Sequence, residues 1–291
     1  MTRRPSIGLV TCAQHPALFG DEQALLGRLD EAGADARPLT WSDPTVEWQR
    51  FDAVVLRSTW DYFERIAEFR AWLDGIERSG ARLFNPVPLV RWNFDKRYLA
   101  ELEQRGVRIV PTCFVAPGEA VDLADCLRAR DWREAVIKPA ISGAAFRTHR
   151  FAAADAAALQ PELDGIVASG GALVQPFMPA IVSEGEWSLV FFDGRLSHAV
   201  LKTPAAEDFR VQTQFGGQFR RVEPPPAMVR QATAIVGQLP VAPLYARIDG
   251  LRQGDELQLM EVEVIEPYLY FPAAPEAVAT YVAAVMAAAA R

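Results

Sequence analysis

Four charged residues fall into two short runs with a spacing of two. Arg247 and Asp249 stand in Tyr245-Ala246-Arg247-Ile248-Asp249, and Glu261 and Glu263 stand in Met260-Glu261-Val262-Glu263-Val264. Both runs read as strands, in which side chains alternate between faces. If the two strands pair, one face presents Arg247, Asp249, Glu261 and Glu263, and the other keeps Ala246, Ile248, Val262 and Val264 for a core. Three carboxylates on one face repel unless a cation sits among them. Hard oxygen donors suit magnesium, which takes few protein ligands and completes its shell with phosphate oxygens and water. A solvated face with a salt bridge to Arg247 satisfies the same pattern.

Three lysines extend the picture. Lys96 stands in the helix-like run Asn93-Phe94-Asp95-Lys96-Arg97-Tyr98-Leu99, Lys138 ends the apolar run Ala135-Val136-Ile137, and Lys202 ends Ser197-His198-Ala199-Val200-Leu201. A lysine at a strand end can simply reach along the surface to water. Lys138, however, precedes Ser142-Gly143-Ala144-Ala145, a small flexible loop that can bring main-chain N–H groups to a phosphate. Clamping cations beside a metal-holding acidic face are what phosphoryl transfer needs, because its catalysis is mostly positioning and charge neutralisation. Other chemistries lack their signatures. There is no Gly-Lys-Ser/Thr loop, Gly-x-Gly-x-x-Gly, His-Glu-x-x-His or Gly-x-Ser-x-Gly, and His15, His149 and His198 are far apart.

The elements that must position these groups fall into two halves. Ile7 to Cys12, Ala36 to Leu39, Ala53 to Leu56 and Arg82 to Asn85 read as strands, with helices over Asp21 to Ala32 and Arg65 to Ser79. That order predicts a small parallel sheet with covering helices. Asp95 to Arg105 reads as another helix. Beyond it the spacing predicts strands at Val136 to Lys138, Phe146 to Phe151, Ala172 to Gln175, Trp187 to Phe192, Leu196 to Lys202, Leu244 to Ile248 and Leu257 to Val264. Helices are expected at Ala152 to Ser169, Ala227 to Gln238 and Ala274 to Ala289, which makes this half α+β with an antiparallel sheet.

Bulk properties set limits. The chain has 291 residues, of which 50% are hydrophobic, enough for a full core in about two domains. A net charge of -7 argues against a nucleic-acid surface, which needs clustered Lys and Arg. Cys12, Cys113 and Cys126 are odd in number and lack metal-ligand spacing. Met1 to Ser6 is short and basic with no signal-peptide core, and Val282 to Ala290 is too short to span a bilayer. The expectation is a cytoplasmic protein, monomer or homodimer, without a nucleic-acid or membrane partner.

In order and spacing these pieces resemble the ATP-grasp superfamily from about Asn93 to Tyr270: the Asp95-Lys96 turn, Val136-Ile137-Lys138-Pro139, Leu173-Val174-Gln175-Pro176-Phe177, Glu184-Gly185-Glu186-Trp187-Ser188, Lys202, Arg247 with Asp249, and Glu261 with Glu263. The resemblance implies an N-terminal parallel α/β domain (1–92), a central subdomain (93–175) and a C-terminal subdomain with the metal site (176–291), with ATP held between the last two. It implies that Lys96, Lys138, Lys202, Ser142 and Gly143 meet the phosphates, Lys138 also lying near the adenine, that Gln175 and the Phe177 main chain meet the adenine, and Glu184 the ribose. Asp249, Glu261 and Glu263 would hold Mg2+, or Mn2+ in its place, and Arg247 and Lys202 would act on the reacting centre. Many members carry Asn where Glu263 stands, which implies an altered metal shell.

Within the superfamily the sequence is similar to the cycloserine-forming cyclo-ligases and their relatives, through Leu56-Arg57-Ser58-Thr59-Trp60-Asp61-Tyr62, Asn85-Pro86, Arg91-Trp92-Asn93 and Glu263-Val264-Ile265-Glu266-Pro267. This implies an ADP-forming carbon–nitrogen ligase of antibiotic biosynthesis that works through an acyl phosphate, closing a ring in an amino-acid-like substrate of the O-ureido-serine type. A glutathione-synthetase-like ligase with a separate amine, and a nucleotide-binding module without turnover, are the alternatives. Ligands in open α/β sheets sit beyond the carboxyl ends of strands, so Arg57, Thr59 and Tyr62 are candidate substrate contacts; Trp60 and Tyr62 equally fit an interdomain core. Arg210 lies in a Gly-containing stretch that can fold over the site or remain a surface loop.

Overall fold

The computed structural model describes residues 3–206 and 208–291, so Met1 and Thr2 of the basic N-terminal stretch lie outside it. The chain opens with β1 (Ser6–Thr11), α1 (Ala24–Glu31), β2 (Asp35–Thr40), β3 (Ala53–Ser58), α2 (Ile66–Ser79) and β4 (Leu83–Phe84). The strands form a parallel sheet in the order β2-β1-β3-β4, as the sequence pattern predicts. β3 is buried throughout, as a strand covered on both faces must be. α2 turns Phe69, Leu73 and Ile76 inward and ends at Gly80 in the left-handed conformation, which glycine adopts without a Cβ penalty.

Next come α3 (Val87–Asn93), α4 (Tyr98–Gln104), β5 (Cys113–Val115), α5 (Leu123–Arg128), β6 (Glu134–Pro139), β7 (His149–Ala152), α6 (Ala156–Ser169) and β8 (Ala172–Pro176). A second sheet, β5-β8-β6-β7, is antiparallel. Alternation divides its faces: Ala135, Ile137, Ala172 and Val174 pack with α5 and α6, while Val136, Lys138 and Gln175 line a cavity. Two expectations change here. The strand expected from Phe146 begins only at His149, because Ala144, Ala145 and Arg147 adopt left-handed backbone conformations. Lys96 precedes α4 rather than opening it, its N–H donating to the Ala140 carbonyl at 2.8 Å.

The remainder is α7 (Ala180–Ser183), β9 (Glu186–Phe192), β10 (Arg195–Thr203), β11 (Gln218–Val222), α8 (Pro226–Gly237), β12 (Tyr245–Gln253), β13 (Glu256–Glu263) and α9 (Ala277–Ala290). The third sheet, β11-β10-β9-β12-β13, is antiparallel. In β9, Leu189 and Phe191 join a core with Met228, Ala232 and Ile235 of α8. Val190 and Phe192 join another with α9, α1 and the first sheet. The C-terminal helix therefore packs back onto the N-terminal sheet and ties the two ends of the chain together.

Candidate active site

β12 and β13 pair with Arg247 opposite Glu263, Ile248 opposite Val262 and Asp249 opposite Glu261. The four charged residues line the cavity, and Ala246, Ile248, Val262 and Val264 lie in the core behind them. The period-two reading of these strands holds on both faces. The cavity measures about 610 Å³ and lies between the second and third sheets, with further walls from the N-terminal part and the 209–219 loop.

Its charges are arranged in pairs. Arg247 grips Asp249 through Nε and Nη2, at 2.9 and 2.7 Å, and also holds Glu263. Ser188 Oγ donates to Asp249 at 2.5 Å. Lys202 Nζ lies 2.6 Å from Glu186 and 3.4 Å from Asp249. Lys96 Nζ lies 3.2 Å from Glu261 and donates to the Ser142 carbonyl. Burial alone would raise the Asp249 pKa, but Arg247 and Lys202 outweigh it and hold the carboxyl well below the usual carboxylate range. Burial pushes Glu263 up, to about 8, against the pull of Arg247. Burial lowers the Lys138 pKa, and among the described residues Lys138 makes no ion pair.

The donor set fits magnesium in chemistry, being three carboxylates on one face beside phosphate-sized space. Among the described residues, however, no three acidic, His or Cys side chains converge as a metal cage. In this conformation the carboxylates are turned to Arg247, Lys202 and Lys96. A magnesium ion held here would complete its shell with phosphate oxygens and water.

The other expected residues divide. Gln175 lies at the cavity wall with its Nε2 donating to Thr112 at 2.9 Å. Ser142 and Gly143 line the cavity, and a Cβ on Gly143 would stand 2.8 Å from the Phe63 ring. Tyr62 and Arg210 line it too, Arg210 pairing with Asp208 at 2.9 Å.

Four expectations are corrected. Phe177 is outside: its N–H donates to the Glu134 carbonyl at 2.9 Å and its ring lies under Arg150. The following residue, Met178, lines the cavity, and among the described residues its main-chain N–H has no partner. Glu184 is outside, held by Arg252 at 2.7 Å and by the Trp187 indole; Glu186, two residues on, faces inward. Arg57 is wholly buried, bonded to Glu22 and the Pro267 carbonyl and stacked near Tyr245 and Tyr281. β3 runs on through Ser58, so Arg57 is part of the strand and not of a loop beyond it. Thr59 is equally buried and away from the cavity wall.

The sequence reading also missed an aromatic wall. His15, Phe19 and Trp60 form edge contacts 4.7–5.6 Å apart, Phe19 meets Tyr268, and Tyr268, Tyr270 and Phe219 continue the wall. Glu266 lies at the cavity with them, its main-chain carbonyl accepting from the Trp60 indole at 3.0 Å. Burial, then Glu263, raises the Glu266 pKa well above its usual value.

Comparison with known proteins follows the same lines. Residues 7–85 match the family described as D-cycloserine synthetase DcsG, N-terminal domain. The chain is 34% identical over 279 residues to the cycloserine biosynthesis protein DcsG of Streptomyces lavendulae, covering 90% of this chain and 92% of that protein. It matches the crystal structure of D-cycloserine synthetase DcsG with a TM-score of 0.86 at 32% identity, over 97% of this chain and 99% of that one. It matches D-alanine–D-alanine ligase from Bacillus anthracis complexed with ATP with a TM-score of 0.71 at 16% identity, over 99% and 98% of the chains, a likeness of fold alone. The fold is the ATP-grasp fold, and the enzyme is an ATP-dependent ligase. The chain belongs to the DcsG family. No helix among the described residues is long and apolar enough to cross a membrane.

Proposed function

We propose that this ligase activates the carboxylate of a small amino-acid-like substrate as an acyl phosphate and then closes a ring, in the manner of O-ureido-D-serine giving D-cycloserine. A carboxylate oxygen attacks the γ-phosphorus and ADP leaves. The ureido nitrogen bonded to oxygen then attacks the acyl carbon, phosphate leaves with the electron pair, and the nitrogen loses its proton. The carbamoyl group departs with one water as carbon dioxide and ammonia, which balances the atoms.

The observation that carries this reading is the in-register acidic face of β12 and β13 in one cavity with Lys96, Lys138 and Lys202. Lys138, Lys96 and the 142–145 loop would take the phosphates, and Gln175 with the Met178 main chain the adenine. Glu186 would take the ribose, and Arg247 would meet charge building on the reacting carboxylate. Asp249, Glu261 and Glu263 would hold Mg2+, which supplies charge neutralisation to phosphoryl oxygens. In this reading the N-terminal domain (1–92) closes the substrate end and subdomains 93–175 and 176–291 grip the nucleotide. An intramolecular attacker avoids the entropy of capturing a second substrate, an advantage that reaches effective molarities of about 10⁵–10⁸ M.

The test supplies ATP, Mg2+ and O-ureido-D-serine alone and follows ADP and cyclic product by mass spectrometry. Equal amounts of ADP and ring are expected. ADP that appears only with an added amine, together with a linear amide, would replace the cyclising reading with a two-substrate ligase.

A further inference from the structure

The cavity contains one carboxylate that the phosphate and metal chemistry leaves unused. Glu186, Asp249, Glu261 and Glu263 each face a Lys or Arg within the site. Glu266 lines the same cavity, and among the described residues its carboxylate has no ion pair and no hydrogen bond to another residue. Beside it stand Trp60, whose indole N–H is bonded to the Glu266 carbonyl at 3.0 Å, and Tyr62, whose hydroxyl likewise has no partner among the described residues. These groups come from the N-terminal half and from the segment after β13, whereas Gln175 and Met178 come from β8 and the residues after it.

A carboxylate held half-buried against aromatic rings is costly unless it meets a cation. Trp and Tyr faces attract ammonium groups in their own right. Lys96, Lys202, Arg210 and Arg247 are engaged with other carboxylates, and the ligase reading gives Lys138 to the phosphates, so the partner of Glu266 must arrive with the substrate. We propose that Glu266, with Trp60 and Tyr62, is the subsite that binds the α-ammonium of the substrate, and so selects free α-amino acids over their des-amino or N-acylated counterparts. Held there as an ammonium, that nitrogen has no lone pair with which to attack. The subsite thereby leaves the acyl carbon to the ureido nitrogen bonded to oxygen. This rests on the ligase reading and adds to it the residue that reads the amino acid.

The experiment measures binding by calorimetry, in the presence of ADP and Mg2+, of O-ureido-D-serine and of 3-(ureidooxy)propanoate, which lacks only the amine. Wild-type protein is expected to prefer the amino acid by tenfold or more. Glu266→Gln should erase that preference while still binding ADP, and Glu266→Asp should restore part of it. Steady-state ADP release should show the same change in KM for the amino acid and little change in KM for ATP. Equal affinities for the two compounds in wild-type protein, or a preference that survives Glu266→Gln, would overturn the subsite. Amino-acid binding that depends on Glu266 without any ADP release would uphold the subsite and overturn the ligase reading instead.

Discussion

At the scale of the residue, Lys138 differs from the other cations of the cavity. Lys96, Lys202, Arg210 and Arg247 each neutralise a carboxylate, whereas Lys138 has none among the described residues and is pushed below the usual lysine pKa by burial. In the proposed reading a phosphate oxygen would be the partner that repairs this, through a charge-assisted bond worth about 1.5–3 kcal/mol. Lys138→Ala should therefore weaken ATP binding roughly ten- to hundredfold by calorimetry, and unchanged affinity in the folded variant would remove Lys138 from the phosphate site. The sign of the pH dependence follows from the lowered pKa. ATP affinity should be full below it and fall as pH rises through it, earlier than for an ordinary lysine near about 10.4. Lys138→Arg should flatten that fall.

At the scale of the element, alternation decided what could be read in advance. Arg247, Asp249, Glu261 and Glu263 were legible as one face because the two strands pair regularly over these residues, the register shift falling just beyond, between Asp249 and Gly250. Gln175 and Lys138 were legible for the same reason on β8 and β6. Glu184 and Glu186 were not separable: they flank Gly185, and only the backbone there decides which carboxylate turns inward. Phe177 and Met178 failed similarly, because the strand ends at Pro176 and alternation ends with it. β5, α5 and β11 are short, and β11 is mostly polar, so they left no periodic signal. The aromatic wall draws on residues 15, 19, 60, 219, 268 and 270, and single aromatics scattered through a sequence look like core.

Gly185 itself gives a test at this scale. It sits at φ 121°, and a Cβ there would collide with the Lys202 main-chain oxygen and the Leu201 side chain. Gly185→Ala should push apart the start of β9 and the end of β10, moving Glu186 and Lys202 relative to each other. The expected result is a loss of about 1–3 kcal/mol in urea unfolding with weakened ATP binding. Wild-type values for both would show that the two strands tolerate the displacement.

At the scale of the whole molecule, the N-terminal sheet and the C-terminal segment are locked together by a buried polar knot. Arg57 holds Glu22 and the Pro267 carbonyl, Ser58 donates to Glu22 at 2.6 Å, and Tyr268 donates to Asp21 at 2.7 Å. The knot fixes Pro267 and Tyr268 beside Glu266, so under the proposed subsite Arg57 would serve the substrate end by placing its backbone. Removing one partner of a fully buried pair costs about 3–5 kcal/mol. Arg57→Met should lose stability of that order, and adding Glu22→Gln should recover part of it. A variant of unchanged stability whose KM for the acid alone rises would instead return Arg57 to the substrate.

In the proposed reaction one cavity takes ATP and a free amino acid, and the acid's own oxygen leaves with the phosphate. The most direct measurement uses O-ureido-D-serine labelled with oxygen-18 in both carboxylate positions, with ATP and Mg2+, and reads the released phosphate by mass spectrometry. One labelled oxygen is expected in every phosphate formed and one in the cyclic product. Unlabelled phosphate accompanying ADP would mean that ATP is hydrolysed by water without activating the carboxylate, and would contradict the account.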